Sequence, residues 1–359
     1  GAVSEVDYFV SELQKVNSFA GSSSGFADGL GSVAKFDYPE KITSDAAGNI
    51  YVADSDNNVI RKVTPSGVVS IYAGNGDYDW NRSTGNKMEV GFSRPRALAF
   101  NNAGNELFIA EQGSRRISKI DASGNVSLVS GNGNCCSAVD GNATTAEYGE
   151  VNALAFDRAG NLYVADNRSI RKLVVDGSGN WTVSTIAGNN GNYGDDNGTG
   201  TAARFRYTRD IVIDKSGSED IMYVADARQI RKIVLSSLEV TAYANTNDNY
   251  GENDGTLQSA GFYDVNAMAL DTSASSLTIY VADRNRIRKV TADGVETIAG
   301  QEDNGDVVGA FASAKFRYPY GLAVNSSGIY ISDRENHKLK KIDLLPSITI
   351  PGGSSTGSI

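Results

Sequence analysis

The chain has a single histidine, His337, and two cysteines, adjacent at Cys135 and Cys136, in 359 residues. A lone histidine excludes any zinc centre that needs two or three imidazoles, because the ligands do not exist. Adjacent cysteines chelate zinc poorly by themselves; they form a strained vicinal disulfide or remain thiols. Proline is scarce, at 6, whereas glycine reaches 39, a balance that suits many short strands joined by glycine-containing turns. No apolar run is long enough to span a bilayer, and no secretory signal is visible over residues 1–19. A cationic excess is also missing, since the formal net charge is −10. An acidic surface repels phosphate backbones and anionic lipid headgroups, so neither a nucleic-acid partner nor membrane insertion is expected.

What the chain does have is repetition, and repeats govern the fold. One string recurs six times: Tyr51-Val-Ala-Asp54, Phe108-Ile-Ala-Glu111, Tyr163-Val-Ala-Asp166, Tyr223-Val-Ala-Asp226, Tyr280-Val-Ala-Asp283 and Tyr330-Ile-Ser-Asp333. Successive starts lie 57, 55, 60, 57 and 50 residues apart. A second string follows each copy, from Ile60-Arg-Lys62 to Leu339-Lys-Lys341. A third precedes it, opening at Lys41, Ala97, Ala153, Asp210, Ala267 and Gly321. A fourth, such as Tyr72-Ala-Gly74, ends the unit. Each unit therefore predicts four short strands, A to D, separated by turn signals such as Asp45-Ala-Ala-Gly48. Six four-stranded antiparallel units predict an all-β, six-bladed β-propeller, because one blade leaves both faces bare and a ring of blades covers them. The fourth string follows only five blades. Its missing copy stands at the other end of the chain, Ser18-Phe19-Ala20-Gly21. The N-terminal strand is therefore expected to complete the last blade and close the ring, hiding two edges; Leu345–Ile350 competes for that slot. The propeller is expected over residues 1–345, and the Gly/Ser/Thr-rich residues 346–359 read as a C-terminal tail or linker.

The run Ala-Gly…Asp-Gly…Ala-x-Phe…Pro-x-Gly-Leu-Ala-Val…Gly-Asn-Ile-Tyr-Val-Ala-Asp…Asn-x-x-Ile-Arg-Lys-Val resembles the NHL repeat, and does so from about Ser18 to Leu345. Asn336-His337-Lys338-Leu339 stands where that family's Asn-His-Leu signature lies. The resemblance implies a six-bladed propeller. It leaves function open, because such propellers include protein-binding, RNA-binding, lyase and hydrolase members.

A residue type present in nearly every copy answers a packing need. The Asp ending the Tyr-Val-Ala-Asp string and the Arg of Ile-Arg-Lys read as scaffold, paired at exposed blade edges for roughly half a kcal/mol each. His337 occupies a repeat position at a hairpin and reads the same way. Recognition belongs where the copies differ. The D–A connections are long and share one face of the disc with the B–C turns, and loops on a rigid scaffold are the usual home of binding. The A strands start at that face, around the axis. Two rings of variable residues lie there: Glu40, Arg96, Asn152, Arg209, Asn266 and Tyr320, and, two residues earlier, Tyr38, Arg94, Glu150, Tyr207, Asp264 and Tyr318. These twelve are the candidate ligand-binding residues. On one reading Arg96 and Arg209, with Tyr38, Tyr207 and Tyr320, form a cup for a carboxylate, a sugar or a peptide. On the other, Glu40, Glu150 and Asp264 simply neutralise Arg94, Arg96 and Arg209. The first ring also resembles the inner-strand ligands of calcium-dependent lactonase-like propellers, which implies calcium donors at Glu40, Asn152 and Asn266. Arg96 and Arg209 depart from that pattern and oppose a divalent ion. The runs Asp195-Asp196-Asn197-Gly198 and Glu252-Asn253-Asp254-Gly255 offer calcium-type oxygens without EF-hand spacing and read as turns.

The expected function is a binding or scaffold propeller that recognises a protein, peptide or glycan through its loop-rich face and axial mouth. It is expected to be monomeric and extracytoplasmic: secreted, periplasmic or on the cell surface. The Cys135–Cys136 pair, read as a vicinal disulfide, and the Asn-rich acidic surface point that way. The alternative is a calcium-assisted, lactonase-like hydrolase or lyase in the axial channel. Histidine poverty weighs against it, since His337 is the only imidazole available as a base, and no catalytic residue stands out. Trp80 is expected in a contact loop and Trp181 in packing.

Overall fold

The computed structural model describes residues 15–79, 84–134, 137–274 and 276–344. Six antiparallel sheets form the blades. Their innermost strands, Pro39–Ser44, Pro95–Phe100, Val151–Phe156, Thr208–Asp214, Val265–Leu270 and Pro319–Asn325, pack side by side in a closed circle. The Tyr-Val-Ala-Asp strands come next and are buried along their whole length on both faces. That two-sided burial is why they read as continuous apolar runs rather than as an alternation. The Tyr at the head of these strands packs edge-to-face on the outer strand, as in Tyr51 on Tyr72 and Tyr223 on Tyr243.

The ring closes as the misplaced fourth string requires. Lys15–Ala20 pairs with Lys338–Ile342 on one side and with Gly309–Ala310 on the other. The first and last parts of the chain thus share a blade, and no strand edge is left open between them.

Four strands per blade is an undercount. Five of the six sheets have a fifth, two-residue strand on the outside, such as Gly29–Leu30 against Val68–Val69. In the fifth blade the same contact is a single bridge, Gly255 to Val295. Each D–A connection first runs along the outer edge of the following blade and only then crosses to the axis. Two residues are too few for any alternation to show in the sequence.

The Asp–Arg pairs are also not where exposed edges would place them. Arg61, Arg171, Arg231 and Arg288 are fully buried, and so are their partners Asp54, Asp166, Asp226 and Asp283. Each guanidinium ties three elements together. In the first blade Arg61 donates to Asp54, to the carbonyls of Lys35 and Ala27, and to Asp28 beside the fifth strand. The acidic runs serve the same purpose: Asn197 receives Arg231 and Asp254 receives Arg288. Lys340 replaces the Arg in the last blade and meets Asp333 and Asp306. In the second blade Ser118 stands in the Arg position, and among the described residues the buried Glu111 accepts hydrogen bonds from the Ser93 N–H and the Ser114 and Ser118 hydroxyls. Losing one partner of a buried pair costs roughly 3–5 kcal/mol, far more than a surface pair is worth.

Trp181 is buried and packs edge-to-face on Phe108. Trp80, Cys135, Cys136 and Leu345–Ile350 lie outside the described residues.

Candidate functional site

The A strands enter at the loop-rich face, so their first residues converge on the axis. Glu40, Arg96, Asn152, Asn266 and Tyr320 are all buried there. Arg96 is the hub. It donates to the Tyr320 hydroxyl, and its other nitrogens lie 3.6 Å from Glu40 and 3.7 Å from Glu150. Burial opposes the charge on Arg96, but Tyr320 and Glu40 hold its pKa above the ordinary arginine value, so it stays protonated.

The second ring forms a partial lid. The Tyr207 hydroxyl donates to Glu150, and Arg209 lies over the Tyr207 ring and pairs with Asp264 at 3.0 Å. Tyr318 donates to the other Asp264 oxygen and stacks on Tyr320, with centroids 6.0 Å apart. Burial pushes the Tyr318 phenol up to about 12, and Tyr207 rises for the same first reason, so both remain donors. Two members sit differently. Arg94 turns outward, half exposed, to pair with Asp56. Tyr38 lies under the Arg334 guanidinium and edge-on to His337.

Three residues that complete the site were not among the twelve. Arg334 donates to Glu40 at 2.8 Å. Lys41 reaches across the axis to Asp210 at 2.7 Å and also donates to the Asn266 carbonyl. Burial lowers the Lys41 pKa against the pull of Asp210. The signal was present in the third string: at that one repeat position the other blades carry Ala or Gly, and Lys41 and Asp210 are three blades apart, hence opposite. Beyond this cross-bar, towards the short-turn face, lies a cavity of about 460 Å³ walled by Ile42, Leu98, Leu154 and Met268.

The charges at the mouth balance. Lys41, Arg96, Arg209 and Arg334 face Glu40, Glu150, Asp210 and Asp264. Hydrogen bonding is less complete: Glu40 Oε2, Arg96 Nε and Nη1, Asn152 Oδ1 and both amide atoms of Asn266 are buried without a hydrogen-bond partner. The orphaned oxygens of Glu40, Asn152 and Asn266 are the ones a divalent cation would take, but the Glu40 oxygen already faces the Arg96 guanidinium at 3.6 Å, and that charge opposes such an ion.

His337 is a turn residue. Its φ is 55°, matching Asn58, Arg115, Asn167, Ala227 and Arg284 at the same turn of the other blades. Its Nδ1 accepts the Tyr38 N–H at 3.2 Å, as Asn58 Oδ1 accepts the Arg94 N–H in the next blade.

The Teneurin NHL domain model matches residues 20–193. Teneurin-4 of Mus musculus is 26% identical over 89% of this chain, and NHL repeat-containing protein 2 of Bos taurus is 25% identical over 69%. The chain spans 12% and 38% of those proteins, respectively. Among solved structures, an auxiliary nutrient binding protein from Bacteroides thetaiotaomicron superposes with a TM-score of 0.66 at 14% identity, covering 92% of this chain and 76% of that one. Virginiamycin B lyase from Staphylococcus aureus does so at 0.51 and 14%, covering 86% and 95%. Repeat, ring closure and sequence relatives agree: the chain is an NHL-repeat six-bladed β-propeller, distantly homologous to the teneurins and to NHL repeat-containing proteins.

Proposed function

We propose that this propeller is an extracytoplasmic binding module that recognises a protein, peptide or glycan through its loop-rich face. The observation that carries the reading is the charge balance at the axial mouth. Four cations and four carboxylates are spent on one another there. A general acid or base must be within reach of the proton it moves. Lys41 and Asp210 are buried against each other, Glu150 is engaged by Tyr207, and His337 is held by a backbone N–H. The nutrient-binding description of one structural neighbour is consistent with this reading.

Thermal-shift measurements with peptides, oligosaccharides and calcium test it, since a ligand of the folded state raises the midpoint by mass action. A shift with a peptide or oligosaccharide and none with calcium is expected. Stoichiometric calcium binding accompanied by lactone hydrolysis would replace this reading with the hydrolytic one.

A further inference from the structure

The open space on the loop-rich face lies beside the axis. A groove of about 870 Å³ runs from Glu150 at the mouth across the third blade, with Arg115 of the second blade and Thr201 of the fourth at its sides. Seven of its fourteen lining residues are Asn, Ser or Thr, including Asn167, Asn189, Asn190, Thr185 and Thr201, and three are ionisable. Its two guanidinium groups are turned to backbone: Arg115 donates to the Gly149 carbonyl, and Arg168 to that of Arg206. Its one carboxylate, Glu150, is occupied by Tyr207. The Asn190 amide nitrogen is buried with no hydrogen-bond partner, while its oxygen is used by the Arg168 N–H. At the edge, Arg168 lies over Tyr193, a tyrosine that is 67% exposed.

We infer that this groove binds a neutral oligosaccharide. The inference rests on the binding reading above and names its ligand class. Amide and hydroxyl side chains both donate and accept, which matches a sugar hydroxyl that does the same. An anion would instead call for convergent, unspent cations; here Arg115 and Arg168 each already donate to a backbone carbonyl, and Glu150 sets a negative charge in the same groove. An exposed tyrosine offers a flat apolar face with a hydroxyl at its tip, suited to a sugar ring at the end of the groove.

Isothermal titration calorimetry with neutral tetrasaccharides of glucose, xylose, mannose and N-acetylglucosamine, with tetragalacturonate, and with a tetrapeptide series tests the inference. At least one neutral tetrasaccharide is expected to bind. Its Kd is expected to rise about tenfold or more in Gly191→Trp, which fills the groove where a Cβ meets only Asn189 within 4 Å, and in Tyr193→Ala. Tyr78→Ala, at the equivalent exposed position of another blade, should leave it unchanged. Should Gly191→Trp fail to fold, Tyr193→Ala carries the test. Tighter binding of the uronate, or neutral binding insensitive to both groove variants, overturns the inference. Peptide binding with no response to any neutral tetrasaccharide overturns it and leaves the binding reading standing; silence from every probe overturns both.

Discussion

Lys41 and Asp210, 169 residues apart, meet across the propeller axis with Nζ 2.7 Å from Oδ2. Both are nearly inaccessible, and Asp210 also accepts the Met268 and Ile211 N–H groups. Blades one and four are thereby tied through the centre of the ring. Lys41→Met leaves a buried carboxylate without its cation and is expected to lower stability by roughly 3–5 kcal/mol. Adding Asp210→Asn, which keeps the shape and removes the charge, should recover part of the loss. Denaturant unfolding of both variants checks this; equal stabilities for the single and double variants would contradict it.

The N-terminal strand supplies Val16 and Ala20 to the core of the last blade. Deleting residues 1–25 removes it and exposes the edges of Lys338–Ile342 and Gly309–Ala310. A lower melting midpoint or concentration-dependent aggregation is expected. An unchanged midpoint by calorimetry would refute closure by this strand.

Arg96 contacts Tyr320, Glu40 and Glu150 at once. Arg96→Ala is expected to destabilise by about 2–4 kcal/mol, because it leaves buried oxygens unpaired. Had the guanidinium served chiefly as a ligand anchor, the midpoint would stay where it is and only binding would change. Parallel measurements of stability and oligosaccharide affinity separate the two.

Burial raises Glu111 to about 7 from an ordinary 4.5. Between those values the folded protein keeps a proton that the unfolded chain releases, so this residue's contribution to stability falls as pH rises through the window. Glu111→Gln keeps the neutral form at every pH, and the surrounding serine hydroxyls can donate or accept to suit it. The variant should match the wild type near pH 5 and exceed it by roughly 2–3 kcal/mol near pH 8. Identical pH profiles would show that Glu111 titrates normally.

The sequence alone determined the blade count, the order of the four main strands, the N-terminal closure and the scaffold role of His337. Each follows from strings repeated every 50 to 60 residues, and repetition reports the local needs of one blade. It also held the axial cross-bar in plain form, since Lys41 and Asp210 interrupt a position otherwise given to Ala or Gly. At Gly321 the approach is closest, since a Cβ there would meet the Glu40 carbonyl at 2.6 Å. Tertiary structure decided the rest. Burial of the Arg61–Asp54 type of pair depends on the connection that carries the fifth strand, which supplies Ala27, Asp28 and Lys35 to the guanidinium. The outward turn of Arg94, the entry of Arg334 and the exact balance of charge at the mouth depend on residues from different blades meeting at the axis. The groove beside Glu150 is likewise a property of three blades and of the loops between them. Packing between repeats, unlike packing within one, leaves no period in the sequence.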